Sequence, residues 1–252
     1  MDLIDKIQEL ARKEGNLMLN ARHMHIEEKE GIGNVVTEYD KKIQQDLKQE
    51  LLKLIPDSNF VGEENNDIES IKKDGYTFIV DPIDGTYNFS RGLHMSMISI
   101  ALLKDSKQYM AVCYNPYIDE MYYAIDGKGA YLNNKRIHVS NKELNDGIVF
   151  IGSSPYYKDK RKKSLEILTN FANNSLDFRR SGAAAIELCN IAKGSAELFL
   201  ELHIKPWDYA AATLIVKEAG GIISDINGNE LQFEKDSSVV AHNGLIDYKK
   251  YI

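Results

Sequence analysis

Val80-Asp81-Pro82-Ile83-Asp84-Gly85-Thr86-Tyr87-Asn88-Phe89 is the stretch that decides how the rest of this chain is interpreted. It continues an apolar run, residues 76–80, that is rich in aromatic and β-branched side chains and predicts a buried strand. Pro82 has no amide hydrogen for a β-ladder, so we expect the strand to end at Asp81. A sharp corner should follow.

This corner carries two carboxylates three residues apart, those of Asp81 and Asp84. Gly85 then fits a tight turn, or the cap of a short helix that starts near Thr86. The carboxylates and the Ile83 carbonyl are oxygen ligands for a hard cation, and the amides after them are donors for an anion. Taken alone, the pattern is more typical of a turn with solvated or capping aspartates. Its meaning depends on the other motifs.

The composition is that of an ordinary soluble globular protein, with 252 residues, 43% hydrophobic and 27% charged. The net charge of −7 disfavours non-specific binding to nucleic acid, and no apolar run reaches membrane length, so neither partner is expected. Cys113 and Cys189 form no motif with each other or with histidine. They predict free core thiols and a reducing, cytoplasmic location.

Further acidic residues lie at the ends of other predicted elements. Asp40 is in the first turn of an amphipathic helix, where it either complements the helix N-terminus or points into a cleft. Glu63 and Glu64 follow a short strand at residues 60–61, just before the strand that leads to the corner. Asp208 lies near the start of another helix, an ordinary capping position. Neighbouring strand ends are where sheets place chemistry.

The remaining pattern predicts an alternation of helices and sheets. Helices are predicted at 2–24, after residue 38, at 158–172 with Leu165, Leu168 and Phe171 facing inward, at 181–193 and at 206–219. Strands are predicted as an antiparallel meander at 95–103, 108–115 and 121–125, and as a second sheet region at 148–151, 197–201, 222–224 and 239–241. Loops are predicted at 31–34 and at 65–74, the latter a candidate flap.

No His or Cys cluster accompanies these acids, so an all-oxygen site predicts Mg²⁺ or Mn²⁺ rather than zinc. Acid-held magnesium beside helix-start amides suggests phosphate chemistry. The sequence lacks a P-loop motif, which disfavours a P-loop NTPase. The small residues 181–185 open a helix, and they fit either close approach of a ligand or helix packing.

Three motifs together resemble the inositol monophosphatase family, part of a lithium-sensitive, magnesium-dependent phosphatase superfamily. They are Gly62-Glu63-Glu64, the Asp81–Phe89 stretch and Trp207-Asp208-x-Ala210-Ala211, and Val36-Thr37-x-x-Asp40 and Glu218-Ala219-Gly220-Gly221 also fit. The resemblance covers nearly the whole chain. It implies an α/β (α+β) layered sandwich with alternating helix and sheet layers (αβαβα), a single domain over 1–252 with two lobes split near 140–150, and a homodimer.

The resemblance also implies roles for individual residues. Two or three Mg²⁺ ions, with Mn²⁺ as a substitute and Li⁺ as an inhibitor, would be held by Glu63, Asp81, the Ile83 carbonyl, Asp84 and Asp208. Asp81 would bridge two ions, with Glu64 a neighbour. The positions that orient the attacking water are matched by Asp40 and Thr86. The phosphate would meet the amides of Gly85 and Thr86, and the substrate hydroxyls would meet Gly182, Ala184, Glu201 and Asp208.

The implied activity is hydrolysis of a phosphate monoester, with inositol 1-phosphate as the leading substrate. Glu201, seven residues before Asp208, favours a polyol. The motifs for metal and phosphate do not separate this from the 2′-phosphate of NADP, 3′-phosphoadenosine 5′-phosphate or fructose 1,6-bisphosphate. A more remote alternative is a non-catalytic regulator of the same fold that binds a protein or RNA partner.

Overall fold

The computed structural model describes residues 2–22, 25–28, 35–65, 68 and 71–252. Its helices are α1 (Leu3–Leu19), α2 (Glu38–Leu54), α3 (Thr86–Ser90), α4 (Lys158–Ala172), α5 (Ala184–Ala192) and α6 (Pro206–Glu218). Its strands are β1 (Ile26–Glu28), β2 (Val35–Thr37), β3 (Asn59–Gly62), β4 (Tyr76–Asp84), β5 (Met97–Lys104), β6 (Lys107–Asn115), β7 (Glu120–Ile125), β8 (Gly129–Leu132), β9 (Lys135–Arg136), β10 (Ile148–Ile151), β11 (Asp177–Arg179), β12 (Leu198–Ile204), β13 (Ile222–Ser224) and β14 (Ser237–His242). Within these ranges no helix has both the length and the apolar content to span a membrane.

Two large sheets organise the fold. The first has seven strands in the order β3-β4-β5-β6-β7-β8-β9. Its β3 and β4 are parallel, and every other pair is antiparallel, which confirms the predicted meander. The second has five strands in the order β11-β10-β12-β14-β13, in which β10 is parallel to both of its neighbours. The short β1 and β2 pair with each other.

Alternation along β4 places its side chains in two cores, as a sheet buried on both faces requires. Phe78 and Val80 pack with residues of α1 and α2, whereas Ile79 packs with residues of α5 and α6. The seven-stranded sheet is therefore covered by α1 and α2 on one face and by α5 and α6 on the other.

The second sheet continues the layering. Phe199 of β12 packs in the same core as α5 and α6, and Leu200 packs on the opposite face with Ile167 and Phe171 of α4. Because α6 lies between two sheets, the run Tyr209–Val216 is buried without interruption. The order of layers is α1/α2, sheet, α5/α6, sheet, α4, so the predicted αβαβα sandwich is confirmed.

The expected end of β4 at Asp81 was wrong, since the strand runs to Asp84. The register with β5 shifts between Asp81 and Asp84, a β-bulge that contains Pro82. An unpaired bulge position needs no amide donor, so the proline is tolerated inside the strand. The bulge, rather than the end of the strand, makes the corner.

Smaller differences concern element ends and facing. Helix α1 ends at Leu19, before the predicted residue 24, and α5 begins at Ala184 rather than 181. Leu165 was predicted to face inward but is 49% exposed, because the buried face of α4 is made by Ser164, Ile167 and Phe171. The predicted loop at 31–34, and residues 66, 67, 69 and 70 of the predicted flap, lie outside the described residues. Both cysteines are free and buried, as predicted.

Candidate functional site

A cavity of about 780 Å³ opens where the ends of β3 and β4 meet the starts of α5 and α6. Every site residue predicted from the sequence lines it except Asp40: Glu63, Asp81, Ile83, Asp84, Gly85, Thr86, Gly182, Ala184, Glu201 and Asp208. Glu64 lines it too. The fold thus brings residues from four separate parts of the chain to one cleft.

An acid cluster, made of Asp81, Asp84 and Asp208, lies at the base of this cleft. One carboxylate oxygen from each of the three lies within 4.8 Å of the other two. Asp81 and Asp84 flank the bulge of β4, and Asp208 is the third residue of α6. Parallel pairing of β3 with β4 sets Gly62 opposite Val80, which puts Glu63 next to Asp81 at the same sheet edge.

Burial and mutual repulsion raise the pKa values of the acid cluster. Burial raises the pKa of Asp81 well above its ordinary value, and the charges of Glu63, Asp84 and Asp208 raise it further. Burial does the same to the pKa of Asp208, with Asp84 and Glu63 adding to it. Burial raises the pKa of Asp84 to about 7, opposed by a hydrogen bond from the Ala185 amide. Such a cluster is stable in its charged form only with positive charge among its oxygens.

Each of the three carboxylates is oriented by backbone amides. Asp81 accepts from the amide of Ile83 at 3.0 Å, and Asp208 accepts from the amide of Lys205 at 3.1 Å. The two oxygens of Asp84 accept from the amides of Ala184 at 3.2 Å and Ala185 at 2.7 Å, at the start of α5. The amides of this small-residue segment therefore bind a carboxylate of the protein itself.

Asp40 lies behind the lining rather than in it. It is fully buried as the third residue of α2, where its Oδ2 accepts from the amide of Thr37 at 2.8 Å, in a capping box. Its Oδ1 lies 2.9 Å from the hydroxyl of Thr86, which also lies 3.0 Å from the carbonyl of Ile83. Burial raises the pKa of Asp40 to about 7, against the hydrogen bonds from Thr37. Asp40 thus contacts the cleft through Thr86.

The turn after the acid cluster is fixed by a glycine and an asparagine. Gly85 has φ +85°, a conformation that residues with a side chain rarely adopt. A Cβ added there would also lie only 2.9 Å from the Met95 carbonyl oxygen. Asn88 donates to the carbonyls of Met95 and Ser181, each at 2.8 Å. Asn88 lies within the Asp81–Phe89 motif, but nothing in the sequence pattern indicated this role. It ties α3 to the segment that leads into α5.

Glu201 reaches the cleft from β12, and two of its neighbours, Ser154 and Arg180, had no role predicted from the sequence. Ser154 donates to it through both its amide and its hydroxyl, and Arg180 lies 3.6 Å from its Oε2. Gly182 donates its amide to Glu187, at 3.2 Å. The only local signal for Ser154 is that it follows a predicted strand, as the other site residues do.

The rim of the cavity is aromatic and basic. Tyr157 packs against His203 with ring centroids 3.9 Å apart. Lys205 and His203 both contact Asp236, at 2.8 Å and 3.1 Å. These residues form a polar, partly charged wall next to the acid cluster.

The model of the inositol monophosphatase family matches residues 2–251. The chain belongs to the inositol monophosphatase family. It is 35% identical over 250 residues to the fructose-1,6-bisphosphatase/inositol-1-monophosphatase of Thermotoga maritima, covering 98% of this chain and 93% of the relative. It is 33% identical over 239 residues to the Nus factor SuhB of Escherichia coli strain K12, covering 92% and 88%. A solved Thermotoga maritima IMPase matches with a TM-score of 0.87 at 34% identity, covering 99% of this chain and 95% of that one.

Membership of the inositol monophosphatase family confirms the resemblance found in the motifs, and the structural match agrees with the layered fold. Family and relatives support a phosphatase, which is a hydrolase. The relatives carry different names: one is named for fructose-1,6-bisphosphatase and inositol-1-monophosphatase activity, and others are named Nus factor SuhB. The family therefore fixes the class of reaction more closely than it fixes the molecule acted on.

Proposed function

We propose that this chain is a Mg²⁺-dependent phosphomonoesterase that acts on inositol 1-phosphate. The observation that carries the proposal is the acid cluster: three carboxylates that meet within 4.8 Å at the base of a cleft. Burial has raised their pKa values, so their charged form requires a counter-ion. An all-oxygen donor set suits a hard divalent cation.

The residues that would hold Mg²⁺ are the three members of the acid cluster, Glu63 and the Ile83 carbonyl. Divalent cations bound there would supply a hydroxide near neutral pH and stabilise the leaving alkoxide. The backbone amides on Asp81, Asp84 and Asp208 keep the carboxylates in place before any ion binds. Li⁺ inhibition and substitution by Mn²⁺ are expected from the family.

Thr86 and Asp40 are proposed to orient the attacking water. The hydroxyl of Thr86 has one proton and two acceptors within 3.0 Å, Asp40 and the Ile83 carbonyl. While it donates to one of them, its oxygen can accept a hydrogen bond from water in the cleft. Because the pKa of Asp40 is raised to about 7, its carboxylate can take up a proton passed through Thr86 near neutral pH.

The substrate is proposed to lie with its phosphate against the first amides of α3, at Gly85 and Thr86, since the first amides of a helix have no partner within the helix. Its hydroxyls would face Gly182, Ala184, Glu201 and Asp208. The name of the Thermotoga maritima relative includes inositol-1-monophosphatase activity, which supports this choice. A homodimer, a single two-lobed domain and a cytoplasmic location are proposed from the family and the composition.

The test is phosphate release, measured as kcat/KM with Mg²⁺, across inositol 1-phosphate, NADP, 3′-phosphoadenosine 5′-phosphate and fructose 1,6-bisphosphate. We expect inositol 1-phosphate to give the highest value and EDTA to abolish activity with all four. If inositol 1-phosphate is the poorest of the four, the substrate assignment is wrong. Full activity in EDTA would contradict the metal assignment.

A second candidate function is that of a binding protein, because relatives at similar identity are named Nus factor SuhB. The complete acid cluster argues for catalysis, since a protein that only binds a partner does not need three carboxylates within 4.8 Å of one another. A protein that binds Mg²⁺ but releases phosphate from none of the four substrates would favour this second candidate.

A further inference from the structure

The carboxylate of Glu201 is held so that its two oxygens have different surroundings. Oε1 accepts three hydrogen bonds: from the Ser154 hydroxyl at 2.5 Å, the Leu202 amide at 3.0 Å and the Ser154 amide at 3.1 Å. Oε2 has the Arg180 guanidinium 3.6 Å away. Since Oε1 is already saturated with donors, Oε2 is the oxygen that can accept a further hydrogen bond in the cleft.

Ser154 reaches Oε1 from a strained backbone. Its φ is +43°, in the left-handed region that non-glycine residues avoid, and it is 1% exposed. Its single hydroxyl proton goes to Glu201, so the contact of 3.3 Å with the Ser164 hydroxyl is donated by Ser164. Backbone strain of this kind persists only where the surrounding contacts enforce it. Here the contacts enforce the position of Glu201.

The backbone of Gly152 lies directly against Oε2 of the same carboxylate. A Cβ added to Gly152 would lie 1.8 Å from Oε2 and 2.2 Å from the carboxyl carbon of Glu201. The Gly152 amide donates to the Leu200 carbonyl at 2.7 Å, so the backbone here is tied to β12. The carboxylate therefore occupies the space that a side chain at this position would take.

We propose that Ser154 and Gly152 are positioning residues that determine specificity, because they hold Glu201 with Oε2 ready to accept a hydrogen bond from a substrate hydroxyl. This inference rests on the proposed function, in which Glu201 faces the leaving group. The chemical class selected is a phosphorylated polyol with a free hydroxyl beside the ester. A phosphate ester that lacks such a hydroxyl gains nothing from the arrangement.

The first test compares Ser154→Ala with the unmodified protein on inositol 1-phosphate and on p-nitrophenyl phosphate, which has no such hydroxyl. We expect kcat/KM for inositol 1-phosphate to fall about tenfold, mostly through KM, since a hydrogen bond to a charged group is lost. The value for p-nitrophenyl phosphate should change less than about twofold. Ser224→Ala, which removes another buried serine hydroxyl, is the matched control and should alter neither. Equal losses on both substrates would overturn the inference.

The second test separates positioning from general damage to the fold. When Ser154→Ala is added to Glu201→Gln, kcat/KM for inositol 1-phosphate should fall by less than a further factor of about two, because both changes remove the same interaction. Fully additive losses would overturn the inference. Gly152→Ala places a methyl group where Oε2 of Glu201 lies, so it should displace that carboxylate and reproduce the selective loss even if Ser154→Ala folds poorly. A loss shared by both substrates would count against the inference. Failure of the unmodified protein to release phosphate from either substrate would instead reject the proposed function, and the inference with it.

Discussion

The two carboxylate sites in the cleft are built on opposite principles. At Glu201, three donors saturate one oxygen, and a guanidinium lies near the other. In the acid cluster, by contrast, oxygens of Asp81, Asp84 and Asp208 lie within 4.8 Å of one another, and each carboxylate also accepts a hydrogen bond from a backbone amide. The contacts of Glu201 fix the position of its carboxylate. The charged carboxylates of the acid cluster, in contrast, require positive charge between them.

The difference shows how one fold separates stability from function. At Glu201 the protein itself supplies three donors to Oε1, so this carboxylate is ordered before a substrate binds. In the acid cluster, burial and mutual repulsion both disfavour the charged carboxylates, which raises the pKa values of Asp81 and Asp208. A site of this kind lowers the free energy of unfolding of the metal-free protein, and a bound cation would raise it again.

The largest expected effect comes from breaking the acid cluster with Asp81→Asn. Loss of one ligand charge should lower kcat/KM by at least about 100-fold, since a metal supplies several kcal/mol of charge stabilisation. The same change should make the metal-free protein more stable at about pH 8, because one repelling charge disappears, and the gain should shrink at about pH 5. Phosphate release and thermal unfolding in EDTA measure the two effects.

The matched control for that prediction is Asp119→Asn. Asp119 is an exposed aspartate whose pKa is lowered by its hydrogen bond with Arg12. Its loss should leave phosphate release unchanged and should not stabilise the protein. A stabilisation by Asp119→Asn equal to that by Asp81→Asn would show that net charge, rather than the acid cluster, controls the result.

The next effect is the stabilisation of the protein by Mg²⁺ and its dependence on pH. Burial raises the folded-state pKa of Asp84 to about 7, so its contribution to metal-free stability is present below about pH 4 and lost as pH rises through about 7. Mg²⁺ needs the ionised carboxylates, so its stabilisation should grow over that same range. At 100 times its Kd it should reach about 2.7 kcal/mol at about pH 8.

The measurement is the difference in Tm with Mg²⁺ and with EDTA, at about pH 5 and about pH 8. The difference should be larger at the higher pH, and Asp81→Asn should reduce it. A Mg²⁺ shift that is the same at both values of pH would show that the ion binds elsewhere than at titrating carboxylates.

The smallest effect concerns Glu14, a buried acid outside the cleft. It lies on α1 with its side chain 1% exposed, and Lys13 Nζ is 3.1 Å from Oε1 but outside hydrogen-bonding geometry. Burial raises its pKa, so at neutral pH its charge costs stability. Glu14→Leu should therefore raise the free energy of unfolding by about 1 kcal/mol at about pH 8, and less at about pH 4.

Glu14→Gln separates charge from packing in that experiment. It should recover part of the gain, because it removes the charge but leaves a polar group buried. Urea unfolding at the two values of pH measures all three proteins. Destabilisation by both variants would mean that Lys13 compensates the Glu14 carboxylate fully, and that the contrast with Glu201 does not extend to this site.

Strand and helix identity could be predicted because periodicity is local. The alternation along β4 and the helical spacing in α2 follow from which face each residue buries. The bulge at Pro82 could not be predicted, because it depends on the register with β5. The prediction that Leu165 faces inward was wrong because the orientation of α4 depends on how the helix packs on its sheet. That packing buries Ser164 and leaves the neighbouring Leu165 exposed.

Motif spacing was enough to indicate the family and the acidic residues of the candidate site, because it is a property of residues close together in the chain. The layered fold was then inferred from the family resemblance. How those acids are held depends instead on contacts between distant parts of the chain. The amides that bind Asp84 come from α5, and Ser154, which holds Glu201, lies 47 residues before it in the chain. Contacts over such separations depend on how the two sheets pack around α5 and α6, which no local pattern encodes.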